Sequence, residues 1–207
     1  MTTRFKGVIF DMDGTITRPF INFQEIRDEL GMPTGDLLEA IRKLRPVAQD
    51  RAWSVIERHE TRALEHLELQ DGASELMARC RRSGIKVGVL TRNVRRSVDY
   101  LLARFQIDVD MIVTREFESV KPDPGPVLHI LGGWNVHASD VLVVGDYVDD
   151  IDCGRGAGTK TCFYQNPGKP FFGQDADFVV TSMSELERII FPSRPSYLAR
   201  PDGRSKS

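Results

Sequence analysis

Asp11 and Asp13 stand two residues apart at the end of an apolar run, Val8-Ile9-Phe10, and Gly14-Thr15 follow them. Three more polar groups come after apolar runs in the same way. Thr91-Arg92-Asn93 closes "IKVGVL", Lys121 follows "DMIVT" through a short polar link, and Asp146 closes "DVLVVG" with Asp149 and Asp150 just beyond. Carboxylates brought close together repel, and at least one pKa rises unless a cation joins them. Oxygen-only ligation by few protein donors suits Mg²⁺, which keeps several waters and commonly takes a substrate phosphate. A hydroxyl and an ammonium opposite the metal would balance the remaining phosphate charge. One carboxylate could then attack phosphorus, forming an aspartyl-phosphate, while the second moves protons.

For this chemistry the four groups must meet, so the elements that carry them decide the matter. Residues 6–11, 85–91, 110–114, 140–146, 159–164 and 176–180 read as strands, rich in Val and Ile and continuously apolar, as suits strands buried on both faces. Helical patterns alternate with them at 74–84, 94–105, 124–132 and 182–190, the third ending at Gly132-Gly133. This alternation predicts an α/β fold with a doubly wound parallel sheet. Such sheets bind ligands beyond the carboxyl ends of their strands, where all four polar groups fall.

Residues 18–71 break the rhythm. They hold no strand pattern, and 22–30, 35–44 and 50–68 read as helices. About 50 residues are too many for a simple crossover, so a small helical cap is expected over one sheet end. Its apolar stripe carries Val55, Ile56 and Leu67, with His59 as a packed histidine. The expected organisation is a core of 1–17 and 72–191, a cap of 18–71, and a disordered tail from 192 to 207, rich in proline and basic residues.

The chain has 207 residues, 41% hydrophobic and 28% charged, with net charge −2 and no clustering of sign. Neither a nucleic-acid surface nor a membrane-attracted face is expected. Cys80, Cys153 and Cys162 are odd in number and lack metal spacing, which points to reduced thiols and a cytoplasmic setting. With the first strand so near Met1 no signal peptide is expected, and no apolar run has transmembrane length. The glycines of "CGRGAG" (153–158) lack the Lys-Ser/Thr of a phosphate loop and read as close packing and a turn.

The four motifs together, "DMDGT" at 11–15, Thr91, Lys121 in "VKPDP" and "VGDYVDD" at 144–150, resemble the phosphatase branch of the haloacid dehalogenase superfamily. A lone DxD is common, whereas four motifs in order, each at its expected element, are specific. The resemblance covers 5–17 and 72–190, and many members place a helical cap directly after the first motif. It implies a Mg²⁺-dependent phosphatase, phosphoglycolate-phosphatase-like, acting on a small phosphorylated metabolite. Asp11 would be the nucleophile and Asp13 the general acid/base. Thr91, with the Arg92 backbone, would bind the phosphoryl oxygens, and Lys121 would pair with Asp11 and the phosphate. Mg²⁺ would be held by Asp11, the Asp13 carbonyl and Asp146, supported by Asp150.

Tyr147 departs from the small polar residue common after the fourth motif, and Asp149 competes with Asp150 for the metal shell. Asp149 and Thr91 could each instead cap a following helix. Asp13 argues against a haloalkanoate dehalogenase. It also argues against a phosphonate hydrolase, for which Lys43 is the sole cap lysine. A sugar-phosphate mutase is the near alternative. The insertion and second acidic cluster weigh against a phospho-acceptor receiver, and the intact motifs against a non-catalytic scaffold. Arg18, Arg45 and Arg92 are candidate substrate-anion contacts. Oligomeric state is not legible.

Overall fold

In a computed structural model that describes residues 3–19, 23–32 and 37–192, the apolar runs pair as expected. The strands are β1 (Gly7–Phe10), β2 (Lys86–Leu90), β3 (Met111–Val113), β4 (Val141–Gly145), β5 (Lys160–Tyr164) and β6 (Phe178–Val180). All pairings are parallel, in the order β3-β2-β1-β4-β5-β6. Phe10 lies opposite Val89 on one side and Val144 on the other. The strand order therefore reverses between β1 and β4, the switch point where a crevice opens at the carboxyl ends. Asp11 and Asp146 leave these two adjacent strands.

Alternate strand residues feed two cores. On one face Val8, Phe10, Val87, Val89, Leu142 and Val144 meet α4 (Ala73–Arg82), α5 (Arg95–Phe105) and α8 (Met183–Ile190). On the other, Ile9, Leu90, Val113, Val141 and Val143 meet α6 (Gly125–Trp134) and α7 (Val148–Gly156). Both faces are covered, which explains why the strands read as apolar runs rather than alternating ones. Gly7 and Gly88 leave room for the Trp134 ring, since a Cβ on either would lie within 3.0 Å of it.

The insertion contains α1 (Phe23–Leu30), α2 (Leu37–Arg42) and α3 (Pro46–Glu65). These share a separate apolar cluster of Ile26, Leu37, Ile41, Ala52, Val55 and Ile56. The chain enters and leaves through paired segments: Thr17 bridges Leu69, Arg18 N–H donates to the Glu68 carbonyl at 2.9 Å, and Gln70 N–H donates to the Ile16 carbonyl at 2.9 Å. Leu67 belongs to the main core rather than to the insertion's cluster, because it lies in this return segment. His59 bridges α3 to α1, with Nε2 3.1 Å from Glu29 Oε2.

Three boundaries differ from the sequence pattern. The helix expected at 50–68 begins at Pro46 and ends at Glu65, since proline at the first helical position is pre-set for the helix. The helix expected to stop at Gly132-Gly133 runs on to Trp134 and ends at Asn135, which takes the left-handed conformation (φ 53°). Burial of the Trp134 ring over the sheet outweighs the weak helix propensity of two glycines. Cys153–Gly156, read as a turn, forms the last part of α7, while the close-packing reading holds: a Cβ on Gly154 would lie 2.7 Å from Thr161. Cys80, Cys153 and Cys162 are free and buried. The tail beyond 192 lies outside the described residues. No described helix is long and apolar enough to cross a membrane.

Candidate active site

Asp11 sits one residue beyond β1, with its N–H still paired to the Val144 carbonyl at 2.9 Å. This extends the sheet register by one residue and holds the Asp11 backbone rigid at the β1/β4 crevice. A tight turn follows, in which the Met12 carbonyl accepts from the N–H groups of Thr15, Ile16 and Thr17. Gly14 makes the turn possible. Its φ of +80° is strained for other residues, and a Cβ there would lie 2.1 Å from Asp146 Oδ2. The turn thus lays its backbone directly against the Asp146 carboxylate.

Lys121 is buried, and its three ammonium donors are all used. Nζ donates to Asp11 Oδ1 at 2.5 Å, to Asp150 Oδ1 at 2.5 Å and to the Leu90 carbonyl at 3.2 Å. Contact with a phosphoryl oxygen would require one of these bonds to yield. Burial alone would lower the lysine pKa, but the charges of Asp11 and Asp150 raise it. Asp150 also accepts from the Tyr147 N–H at 3.1 Å, so this carboxylate caps the start of α7.

The reading of Asp149 as that cap does not hold. Asp149 instead pairs with Arg92 at 2.7 Å, which ties the loop after β2 to α7 and engages the Arg92 guanidinium. Thr91 does not cap α5 either; its buried Oγ1 accepts from the Asn93 N–H at 3.1 Å. Arg18 is ion-paired to Asp71 at 2.9 Å at the insertion's entry, and Arg45 is exposed before α3, so neither is placed with the acidic cluster. Lys43 is exposed beyond α2.

Among the described residues, Asp11, Asp146 and Asp150 form a group whose carboxylate oxygens lie within 4.8 Å of one another. Two unit charges about 4 Å apart repel by roughly 4 kcal/mol at an effective dielectric constant near 20. With Lys121 opposite, two negative charges remain uncompensated, which is the charge of one divalent cation. Burial, then the neighbouring carboxylates, raise the Asp11 pKa well above its ordinary value despite Lys121. Burial, then the Asp150 charge, push Asp146 up to about 7. The oxygen-only donor set and unrelieved repulsion fit a hard divalent cation.

The sign of a pH effect follows. Asp146 has a raised folded pKa, so its stabilising contribution is complete below the unfolded value of 3.8 and is lost as pH rises towards 7. A divalent cation needs the ionised carboxylates and therefore competes with protons. Mg²⁺ is expected to raise the melting temperature more at pH 8 than at pH 5, measured by thermal denaturation with and without EDTA. Equal shifts at both pH values would contradict this electrostatic picture.

Asp13 is only partly buried and its side chain lies outside that group. Asn93 Nδ2 donates to its Oδ2 at 2.5 Å. Burial raises the Asp13 pKa, against the Asn93 hydrogen bond and Lys121. A cleft of about 480 Å³ opens between the insertion and the core, lined by Arg42, Trp53, Glu60 and Arg115 among others. Glu60 of α3 pairs with Arg115 across this boundary at 2.5 Å, and the Asp13 charge contributes to the raised Glu60 pKa, after burial and against Arg115. The cleft and Asp13 are thus electrostatic neighbours.

The roles of three residues of the site escaped the sequence pattern. Asn93 orients Asp13. Asn166, after β5, is buried and donates from Nδ2 to the Gly14 carbonyl at 2.7 Å and to Asp146 Oδ2 at 3.0 Å. Gln70, in the insertion's return segment, donates to Asn166 Oδ1 at 2.8 Å.

Comparison with known proteins agrees with this architecture. The model of a family described as haloacid dehalogenase-like hydrolase matches residues 19–164. A haloacid dehalogenase-like hydrolase domain-containing protein of Arabidopsis thaliana is 35% identical, covering 91% of this chain and 84% of its own. An N-acetylmuramic acid 6-phosphate phosphatase of Pseudomonas putida is 26% identical over 90% of this chain and 96% of its own. Among solved structures, a hydrolase from Pseudomonas syringae superposes with a TM-score of 0.75 at 20% identity, covering 89% and 99% of the two chains.

Proposed function

Because the chain belongs to the haloacid dehalogenase-like hydrolases, we propose that it is a Mg²⁺-dependent phosphatase of small organic phosphate monoesters, working through an aspartyl-phosphate on Asp11. The observation that carries this reading is the placement of Asp11 against Lys121, within one group with Asp146 and Asp150, at the β1/β4 switch point. The phosphatase activity named for the Pseudomonas putida relative supports the same substrate class.

In this mechanism an Asp11 oxygen attacks phosphorus as the ester P–O bond breaks. The Lys121 ammonium opposes the rise that burial and the neighbouring carboxylates impose on the Asp11 pKa, and so favours the ionised nucleophile. Asp13, oriented by Asn93, gives its proton to the departing ester oxygen. Its raised pKa favours carrying that proton beforehand. Water then attacks the phosphorus of the aspartyl-phosphate, Asp13 takes back a proton, and inorganic phosphate leaves with Asp11 restored. Thr91 and the Arg92 backbone receive the phosphoryl oxygens. Asp11, Asp146 and the Asp13 carbonyl, with Asp150 in support, would hold Mg²⁺, which would supply charge neutralisation for the phosphoryl group. The insertion, residues 18–71, serves as a cap, and the cleft between it and the core takes the leaving group.

The test is a purified-protein assay over small phosphate metabolites, phosphoglycolate and hexose phosphates included, comparing kcat/KM. The expected result is release of inorganic phosphate with Mg²⁺ and none with EDTA. Isomerised sugar phosphate in place of inorganic phosphate would instead support a mutase.

A further inference from the structure

A chain of side-chain amides links the insertion's return segment to the acidic cluster. Gln70 follows Leu69, which bridges Thr17, and its own N–H is fixed to the Ile16 carbonyl. Its side chain donates to Asn166 Oδ1 at 2.8 Å and reaches the Gly14 carbonyl at 3.4 Å. Asn166 uses its amide N–H groups on the Gly14 carbonyl and Asp146 Oδ2. Both residues are buried, Gln70 at 8% and Asn166 at 2% exposure, so neither amide has water as a ready substitute partner.

The donor directions make the chain a one-way arrangement. Asn166 can present both N–H groups to Gly14 and Asp146 only while its carbonyl oxygen faces Gln70. A flipped Asn166 would set oxygen against two acceptors, and Gln70 opposes that flip by donating to the carbonyl. The Gly14 turn packs against the same carboxylate, close enough to leave no space for a Cβ. The Asp146 carboxylate is thus held by a backbone turn and by an amide whose orientation is set from the insertion's return segment.

We propose that Gln70 and Asn166 are positioning residues that fix the Asp146 carboxylate for metal binding, so that seating of the insertion's return segment is a condition for full Mg²⁺ affinity. This rests on the reading of Asp146 as a metal ligand. Groups that orient metal ligands typically contribute 10- to 100-fold in affinity.

The experiment measures Mg²⁺ affinity by calorimetric titration of the whole protein, with melting temperature in EDTA as the control for folding. Asn166→Leu is expected to weaken Mg²⁺ about 10-fold or more, and Gln70→Leu by several-fold. Because the two act in series, the double variant is expected to be no weaker than about the Asn166→Leu variant alone. Gln70→Glu, which turns an acceptor towards the Asn166 oxygen, is expected to bind Mg²⁺ less well than Gln70→Leu. Lowered melting temperatures with unchanged Mg²⁺ affinity would overturn the proposal, as would multiplicative effects in the double variant. If the unmodified protein bound no Mg²⁺, the metal-site reading itself would fail and this proposal with it. Normal affinity in the variants beside a Mg²⁺-binding parent would overturn the relay alone.

Discussion

Asp11→Asn is expected to lower kcat by about four orders of magnitude or more, a loss of roughly 5.4 kcal/mol in transition-state stabilisation. The side chain keeps its shape, and its remaining carbonyl oxygen can still accept from Lys121, which also bonds Asp150 and the Leu90 carbonyl. What is lost is the anionic oxygen that would attack phosphorus. Removing one of three mutually repelling carboxylates also relieves the cluster. The variant is therefore expected to melt in EDTA no lower than the parent while turning over no substrate. Steady-state kinetics and thermal denaturation on the same preparation check both halves. Substantial activity in a correctly folded variant would contradict the role given to Asp11.

Lys121→Met produces the largest expected loss of stability. Taking away one partner of a buried ion pair leaves the other charge uncompensated, typically at about 3–5 kcal/mol. Here two carboxylates, Asp11 and Asp150, lose the same ammonium, and Met has no donor for the Leu90 carbonyl. At about 2–4 °C per kcal/mol for a chain of this size, the melting temperature should fall by roughly 10 °C or more. The deficit is expected to shrink as pH falls. Without the ammonium, the already raised Asp11 pKa rises further, and protonation removes the buried charge. A denaturation series in EDTA at pH 8 and pH 5 checks this. A variant as stable as the parent at pH 8 would show that the ion pairs do not support the fold.

The legibility of this site in the sequence has a physical basis. A buried strand is a run of apolar residues, so a carboxylate or ammonium at its end stands out, and an all-parallel sheet puts every such end on one edge. Asp11 and Asp146 were visible on these grounds, Lys121 and Asp150 through the motifs of the resemblance, and the structure brings the four together. Asp149 and Asp150 could not be separated, because adjacent residues at a helix start differ only in which way they face. The structure turns Asp150 towards Lys121 and Asp149 towards Arg92. The roles of Asn93, Asn166 and Gln70 were illegible for another reason. Neutral amides are common in turns, and theirs gain meaning only from partners as many as 152 residues away, as for Asn166 and Gly14. The extension of α6 through Gly132-Gly133 was hidden because tertiary burial of Trp134 decides it rather than local propensity.

The insertion was recognisable as helical, yet its attachment was not. The Thr17–Leu69 bridge and the Glu60–Arg115 pair join segments far apart in sequence, and they seat the insertion beside Asp13. The cleft lies between the insertion and the core, and the return segment carries Gln70, so under the proposed chemistry the insertion would bear on both the leaving group and Asp146.

The central claim is that phosphate passes through a covalent bond to Asp11. It is tested most directly by acid quench of the Mg²⁺-loaded protein during turnover of p-nitrophenyl phosphate, followed by peptide mass spectrometry. A good leaving group needs little protonation, so in Asp13→Asn the first step should survive while water activation is slowed, and the intermediate should accumulate. The account predicts a phosphoryl group on the peptide containing Asp11, raised in Asp13→Asn and absent in Asp11→Asn. Turnover with no phosphorylated Asp11 in any of these proteins, or phosphate carried by another residue, would contradict it.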